Sequence, residues 1–279
     1  MKTNLAKSAG FCFGVKRAID IAYKTLAKNK NVYMLGNIVH NEDVAGKLKN
    51  AGIKKCEKLS YGKNKIFLIR AHGAGLNIVG KAGKLGYKIV DATCPMVKEI
   101  HKIVHNAENK GYAIIVIGDK KHAEVLGIIG QLKSRAIVIE DANNIPWDKL
   151  KKIKKACIVV QSTQNLEKVV KITAALTPRI KELRFFNTIC QPTRIKQQEA
   201  KRMPLENDVM IIVGSKTSAN TKRLWEISKS LNNRSYWVQS KRNIKPAWFK
   251  GAKTTGITAG ASTPDDTTKE VIAYIKKIA

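Results

Sequence analysis

The chain has 279 residues, 44% of them hydrophobic, which is enough for one large domain or several small packed ones. No stretch reaches the roughly 18 consecutive apolar residues of a membrane span, and the N-terminal residues lack the apolar segment of a signal peptide. We therefore expect no cleavable targeting segment. Five cysteines, an odd number spread far apart, are unlike the disulfide framework of a secreted domain and favour the reducing cytoplasm.

The formal net charge is +31, from 52 Lys and Arg against 21 Asp and Glu. Such an excess attracts nucleic acids, anionic membranes or small anionic substrates. Lysine clusters such as KKIKK at 151–155 carry no interleaved aromatic residues, and no zinc-finger, RNP or helix-turn-helix pattern occurs. We therefore interpret the lysines mainly as solvated surface residues, and we favour attraction of small anions over binding of nucleic acid.

The predicted elements alternate between helix and strand. The first third reads as a helix over 12–28, the strand NVYMLG, a helix ending at Gly52, the strand KIFLIR, a helix over 76–86 and the strand YKIVDATC. The second third repeats this order through AIIVIG, HAEVLGIIGQL, ACIVVQSTQ, a helix over 166–176 and ELRFFNTIC. This alternation predicts an α/β class with small parallel sheets joined by crossover helices.

The last third differs because it has no closing strand. It runs through VMIIVGS, a helix around 223–230, TTGITAGAST and a final helix. We predict that the N-terminal segment 3–11, which directly precedes a cysteine, supplies the missing strand. The predicted domains are accordingly 13–94, 95–190, and 191–279 completed by 1–12, arranged as a pseudo-threefold trefoil.

Three of the five cysteines occupy equivalent positions in the three repeats. Each is separated by the same offset from a glycine that ends an apolar strand: Cys12 from Gly36, Cys94 from Gly118 and Cys190 from Gly214. A thiol kept in register through three repeats predicts three thiols around one axis, at the carboxyl ends of parallel strands where ligands bind. Such a convergence of thiols predicts a metal centre.

Zinc and an iron–sulfur cluster are the candidate metals. Structural zinc usually has a fourth protein ligand and short Cys-x-x-Cys pairs, and no such pair occurs. A 4Fe-4S cluster held by three cysteines leaves one iron open for a substrate. Each repeated cysteine also precedes a predicted helix start, where the helix dipole favours a thiolate. We therefore favour the cluster, and we interpret Cys56 and Cys157, which lie outside the repeat, as packing residues.

Polar residues follow the predicted strands in every repeat. These loops carry neutral or switchable hydrogen-bond donors: His40, His72, His122, Ser162, Thr163, Ser218, Asn220 and Ser262. Donors of this kind, together with N–H groups at helix starts, are what a bound diphosphate requires. A single loop histidine is weak evidence, whereas three histidines in equivalent loops support an anion site.

Glu124 is the carboxylate that we assign to chemistry. It lies two residues after His122 and within reach of a hydroxyl from the Ser162 loop, where a carboxylic acid can relay protons. Its repeat counterpart, Glu42, stands at a predicted helix start and is interpreted as a capping residue.

Two further patterns are interpreted as incidental. Residues 75–82 nearly match a phosphate-binding loop, but Ala82 replaces the Ser or Thr that would hold magnesium. His101 and His105 share one predicted helix face without an accompanying glutamate, and we interpret that face as solvated.

The motifs together resemble the 4-hydroxy-3-methylbut-2-enyl diphosphate reductase family over essentially the whole chain. They are GFCFGVKRA at Cys12, VHN at His40, AHG at His72, DATCP at Cys94, HAEVLGIIGQ at His122, TICQPT at Cys190, VGSKTSANTKRL at Ser218 and TAGASTP at Ser262. The resemblance implies a 4Fe-4S cluster on Cys12, Cys94 and Cys190 at the centre of the trefoil. It also implies that the allylic hydroxyl of the substrate is removed as water, with two electrons and two protons, giving isopentenyl and dimethylallyl diphosphates.

The resemblance further assigns roles to individual residues. The diphosphate would be held by His40, His72, His122, Ser218, Ala219, Asn220 and Ser262. Glu124 would deliver protons with the help of Ser162 or Thr163. Reduced ferredoxin or flavodoxin would supply electrons, and the basic surface is a plausible dock for either. Neither nucleic acid nor a membrane is an expected partner.

Three positions depart from the family pattern. The usual Ser-Ser-Asn is Ser218-Ala219-Asn220, the usual His-Pro-Glu is His122-Ala123-Glu124, and a Thr-Thr pair is Ser162-Thr163. The first change removes a hydroxyl from the diphosphate site, and we expect weaker substrate binding and retained activity.

Two alternative functions stay open at this point. Quinolinate synthase also resembles a three-domain ring with one cysteine per domain, although its carboxylate substrates would favour arginine clamps. A basic nucleic-acid-binding protein with a structural metal is the alternative without catalysis.

Overall fold

A computed structural model describes residues 1–278 of the chain. Within these residues the strands form three four-stranded sheets, and the paired strands are all parallel. The α/β class and the small parallel sheets predicted from the sequence are confirmed. No helix between residues 1 and 278 combines the length and the apolar character that crossing a bilayer requires.

The bounds of the elements follow the chain in three groups. The first is β1 (Lys2–Leu5), α1 (Phe13–Lys28), β2 (Val32–Leu35), α2 (Glu42–Asn50), β3 (Lys54–Cys56), β4 (Ile66–Ile69), α3 (Leu76–Lys84) and β5 (Lys88–Asp91). The second is α4 (Pro95–Asn109), β6 (Ala113–Ile117), α5 (Ala123–Ile129), β7 (Ile137–Ile139), α6 (Trp147–Leu150), β8 (Lys155–Val160), α7 (Leu166–Leu176) and β9 (Glu182–Phe185). The third is α8 (Gln191–Glu206), β10 (Val209–Val213), α9 (Ala219–Leu231), β11 (Ser235–Val238), β12 (Thr254–Ala259) and α10 (Asp265–Ile278).

Internal contacts divide the described chain into two compact units. The first unit consists of Met1–Lys16, Val39–Gly46 and the segment from Gln191 onward. The second unit consists of Arg17–Ile38 and Lys47–Cys190. The division into three domains stays a prediction.

The first unit contains the sheet of strand order β1-β12-β10-β11. Strand β10 is an unbroken apolar run, VMIIV, because helices cover both faces of the sheet. Its odd-numbered residues pack against α10, and its even-numbered residues pack against α8 and α9. Strand β1 pairs with β12, from Lys2 opposite Thr254 to Leu5 opposite Ile257. The N-terminal segment therefore forms one edge of the sheet that contains the last strand of the chain.

The second unit contains the sheets β3-β2-β4-β5 and β7-β6-β8-β9. Alternate residues of β6 and β8 pack against α7 on one face and against α4 and α5 on the other. Cys157 is fully buried on the face of the sheet that packs against α4 and α5, and burial raises the pKa of its thiol to about 11. Cys157 is therefore a packing residue. Cys56 is half-buried on β3, where its thiol lies 3.6 Å from the carbonyl oxygen of Met34.

The near match to a phosphate-binding loop has a packing explanation. Gly75 is the N-cap of α3, and a Cβ at this position would lie 2.8 Å from the Cα of Gly130. Only glycine permits the backbones to come this close, so Gly75 allows the start of α3 to pack against the end of α5.

Each sheet has a fourth strand that the hydrophobic pattern did not predict. These strands are β3, β7 and β11, and each lies at the edge of its sheet. They span three or four residues, too few for an alternating pattern to be recognised.

Candidate active site

The three repeated cysteines have the same local environment. Each directly precedes a helix: Cys12 precedes α1, Cys94 precedes α4 and Cys190 precedes α8. Each backbone N–H donates to a carbonyl two residues beyond the end of a sheet strand. The N···O distances are 3.1 Å from Cys12 to Ala261 after β12, 2.9 Å from Cys94 to Ala71 after β4, and 3.0 Å from Cys190 to Ser162 after β8. The repeat in the sequence is therefore a repeat of backbone geometry.

The thiols of these cysteines are partly exposed and form no disulfide within residues 1–278. The carbonyls of Cys12 and Cys94 accept the N–H groups of Lys16 and Lys98 at 3.0 Å, so both cysteines sit at the first turn of their helices. The positive end of a helix dipole stabilises a thiolate. Soft thiolate ligands in these positions fit iron of a sulfide cluster, in contrast to the buried thiol of Cys157.

The first unit brings together Ser218, Asn220, Ser262 and His40. Ser218 caps α9, and its Oγ accepts the N–H of Thr221 at 3.3 Å. The hydroxyl of Ser262 donates to the carbonyl of His40 at 3.0 Å and lies 3.5 Å from the Oγ of Ser218. The Nδ2 of Asn220 is buried and has no hydrogen-bond partner among the described residues. A buried amide donor without an acceptor fits a site that binds an anion.

Ala219 is the first residue of α9 and is only half-buried. Its methyl group contributes no hydrogen bond, so the donors at this turn are the backbone N–H groups and the side chains on either side of it.

Glu42 lies in the same unit and interacts with hydroxyl groups. Its Oε1 accepts the hydroxyl of Thr217 at 3.0 Å, and Thr217 is in turn 2.8 Å from the hydroxyl of Ser215. Burial tends to raise the pKa of Glu42, but hydrogen bonds from Ser215, its own backbone and Thr217, with the charge of His40, hold this pKa below its ordinary value. Asn41, whose Oδ1 accepts the N–H of Val44 at 3.0 Å, caps α2, so the capping role predicted for Glu42 belongs to its neighbour.

The second unit brings His72 and His122 together. Their rings meet edge to face with centroids 5.4 Å apart. His122 is the N-cap of α5, and its Nδ1 accepts the N–H of Glu124 at 3.2 Å. Because Nδ1 acts as an acceptor, the neutral ring carries its proton on Nε2, which can donate to a ligand.

Glu124 is almost fully buried, with 2% of its surface exposed. Its two oxygens accept the N–H and the hydroxyl of Ser162, at 2.6 and 2.8 Å. The carbonyl of Ser162 accepts the N–H of Cys190, so one residue contacts both the carboxylate and a repeated cysteine. The hydroxyl of Thr163 instead accepts the Nε2 of Gln161 at 3.0 Å.

The pattern missed two residues that support this site. Gln161 is fully buried, and its Oε1 accepts the N–H of Asp119 at 2.9 Å. Lys196 is also buried, and its Nζ donates to the carbonyls of Gly10 and Ala259 at 3.0 and 3.1 Å, and to that of Ser8. A glutamine that directly follows the buried strand CIVV could have been recognised. Lys196 could not be recognised as a buried residue from the sequence, because most of its neighbours on α8 are polar.

The solvated face predicted for His101 is wrong. The Nε2 of His101 is buried without a hydrogen-bond partner among residues 1–278, and its Cε1 would lie 2.7 Å from a Cβ at Gly73. Burial lowers the pKa of His101 to about 4, against a smaller opposing effect of Asp91. His105 is exposed, as predicted.

Comparison with known proteins identifies the family. The family model described as LytB protein matches residues 3–276. The 4-hydroxy-3-methylbut-2-enyl diphosphate reductase of Geotalea daltonii is 39% identical over 279 residues, covering 100% of this chain and 98% of the relative. The enzyme of the same name from Aquifex aeolicus is 38% identical, covering 98% and 96%.

The chain belongs to the LytB family. The resemblance drawn from the motifs is therefore confirmed, and so is the prediction that this LytB protein is an enzyme of the reductase class.

Solved structures agree with this membership. One solved structure is that of (E)-4-hydroxy-3-methyl-but-2-enyl diphosphate reductase, described as the terminal enzyme of the non-mevalonate pathway. It has a TM-score of 0.73 and 38% identity to this chain, and the match covers 99% of this chain and 100% of that chain. The E-1-hydroxy-2-methyl-but-2-enyl-4-diphosphate reductase of Plasmodium falciparum has a TM-score of 0.88 and 28% identity, covering 98% and 87%.

Proposed function

We propose that this LytB protein reduces (E)-4-hydroxy-3-methylbut-2-enyl diphosphate to isopentenyl and dimethylallyl diphosphates and water. Two electrons and two protons enter, one proton leaves in the water with the allylic oxygen, and the other ends on carbon. The names of the relatives support the substrate. The observation that carries the proposal is the identical anchoring of Cys12, Cys94 and Cys190 beyond three sheet strands.

Cys12, Cys94 and Cys190 would hold a 4Fe-4S cluster with one iron that has no protein ligand. When bound, such a cluster supplies electrons one at a time and an open coordination position for the substrate. The residues fit this group because their thiols are accessible and lie at helix N-termini, where negative charge is stabilised.

The diphosphate would be bound by uncharged donors. Asn220 offers a buried amide, Ser218 and Ser262 offer hydroxyls, and His122 offers its Nε2 proton. His40 and His72 belong to the same proposed set. The N-terminus of α9, 13 residues long, adds N–H groups and a favourable dipole. Such donors bind an anion without introducing carboxylates that would repel it.

Glu124 would donate a proton to the leaving hydroxyl. The N–H and hydroxyl of Ser162 fix the orientation of this carboxyl, and its burial excludes bulk water from it. A carboxylic acid held in this way is suited to general acid catalysis. Reduced ferredoxin or flavodoxin would supply the electrons at the basic surface.

Anaerobic purification tests the proposal. We expect a brown protein whose broad absorbance in the blue region is bleached by dithionite, and which releases both isoprenoid diphosphates from the hydroxylated substrate. Replacement of Cys12, Cys94 or Cys190 by Ser removes the iron and the activity. The control variants Cys56→Ser and Cys157→Ala retain both. A colourless protein carrying zinc, or full iron content in Cys12→Ser, contradicts the proposal.

A further inference from the structure

A cavity of about 110 Å³ lies in the second unit, among the end of β4, the start of α3 and α5. Its apolar walls include Leu35, Phe67, Ile78, Ala123 and Leu126. Among the described residues that line it, Arg70 is the one with a polar side chain. The cavity therefore combines an apolar interior with a single cationic group.

Arg70 is half-buried and has no counter-ion among residues 1–278. Its guanidinium makes no hydrogen bond and no ion pair with any residue between 1 and 278. Burial lowers the pKa of Arg70, and no carboxylate opposes this effect. A charge that is partly removed from water and has no partner gains from pairing with an opposite charge. The guanidinium of Arg70 is therefore a group to which an anion from outside the chain can bind.

Gly36 leaves space for the guanidinium. A Cβ at Gly36 would lie 2.7 Å from the Nη1 of Arg70, and the backbone of Gly36 has a positive φ of 73°. The positive φ favours glycine at this position, and the absence of a Cβ leaves room for the guanidinium beside the end of β2.

The size and polarity of the cavity select the ligand. A carboxylate accepts two parallel hydrogen bonds from the planar guanidinium. A cavity of about 150 Å³ holds benzene, so about 110 Å³ accommodates four to six heavy atoms. Inorganic phosphate would lose most of its hydration against walls that offer few donors. We propose that this cavity binds a short-chain monocarboxylate, with the carboxylate on Arg70 and the alkyl chain against Leu35, Phe67 and Leu126.

Butyrate is the probe that tests this site in the anaerobically purified full-length protein. We expect calorimetry to detect its binding to the wild type, and unfolding to shift to higher temperature as butyrate is added. Arg70→Met, which keeps the length of the side chain and removes its charge, weakens binding at least about tenfold. Ala74→Leu fills the cavity, keeps Arg70 and weakens binding to the same degree. Arg135→Met, at an exposed arginine of the same unit, binds like the wild type.

Three results would overturn the proposal. The first is equal binding of butyrate to the wild type and Arg70→Met. The second is binding of inorganic phosphate or of neutral butanol as tight as that of butyrate. The third is a much lower unfolding temperature of ligand-free Arg70→Met than of Arg135→Met, because the guanidinium would then already be satisfied within the fold. These measurements do not involve turnover, so their outcome is independent of the proposed reductase activity.

Discussion

Ser162 contacts two residues with different proposed roles. Its N–H and hydroxyl donate to Glu124, and its carbonyl accepts the N–H of Cys190. The carboxyl group thus has a fixed position relative to a cysteine backbone without contacting the cysteine itself. This arrangement allows the proposed proton donor to be changed without disturbing the proposed cluster ligand.

We expect Glu124→Gln to lower kcat by about 10²- to 10⁴-fold, because the amide has the same shape but no acidic proton. Iron content and unfolding temperature stay close to those of the wild type, since the side-chain oxygen still accepts from Ser162. Steady-state turnover with dithionite and methyl viologen measures the loss. Glu42→Gln is the matched control at the equivalent repeat position and retains its kcat. A kcat of Glu124→Gln within a few-fold of the wild type would exclude Glu124 as the acid.

Ala219→Ser is expected to lower the KM for the substrate by about threefold to tenfold. The added hydroxyl stands at the first residue of α9, beside Ser218 and Asn220, and contributes one hydrogen bond to the diphosphate. We expect little change in kcat, because the diphosphate is not the group of the substrate that reacts. An unchanged KM would show that backbone N–H groups already satisfy the diphosphate.

His101 gives the protein a pH-dependent stability. Its folded-state pKa of about 4 lies below the ordinary value of 6.5, so the unfolded chain binds the proton more tightly. Stability is therefore lost as the pH falls from 6.5 towards 4, by about 3 kcal/mol at most. We expect His101→Gln to reduce this loss in urea unfolding at a series of pH values. His105→Gln, on the exposed side of the same helix, leaves it unchanged.

The burial of His101 could have been predicted from the sequence. Val97 and Val104 are buried on α4, and His101 lies four residues after one and three before the other, on the same helix face. The partner of Glu124 was less predictable, because two adjacent hydroxyls follow β8 and only the backbone direction decides that Ser162 faces the carboxylate. The sequence pattern therefore predicted which types of residue form the site, but it could not predict which of two neighbouring side chains, Ser162 or Thr163, contacts Glu124.

At the scale of elements, the central strands were predicted and the edge strands were not. Strand β10 and residues 156–160 of β8 are apolar because both faces of these strands are covered. Strand β3 consists of Lys54, Lys55 and Cys56, and only its pairing with β2 makes it a strand. Charged, short edge strands of this kind limit association between sheets, so their composition resembles that of a loop.

Lys196 links α8 to the segment that precedes Cys12. We expect Lys196→Met to lower the free energy of unfolding by about 3 kcal/mol, because three backbone carbonyls lose their buried donor. Urea unfolding measures this difference. Arg202→Met is the control on the same helix, where an exposed pair with Glu206 contributes less than about 1 kcal/mol. Equal stability of the two variants would show that Lys196 does not hold this segment.

At the scale of the whole molecule, the net charge of +31 bears on association with the proposed electron donor, ferredoxin or flavodoxin. Attraction between oppositely charged proteins raises the association rate and weakens as salt screens it. We expect the rate with an acidic flavodoxin to fall about tenfold between low and high ionic strength. The rate with the small cationic carrier methyl viologen does not fall. If the rate with flavodoxin does not change with salt, the positive charge has no part in docking and the lysines are only solvated surface residues.

The pairing of β1 with β12 has a consequence for biosynthesis on the ribosome. The backbone carbonyls that hold Cys94 and Cys190 lie upstream of them and are already translated when these cysteines emerge. Cys12 is translated before both of them, yet its acceptor, Ala261, is translated after both. The hydrogen bond that anchors the backbone of Cys12 therefore forms only once synthesis has passed Ala261. The proposed site of three cysteines is complete only after that segment has been made.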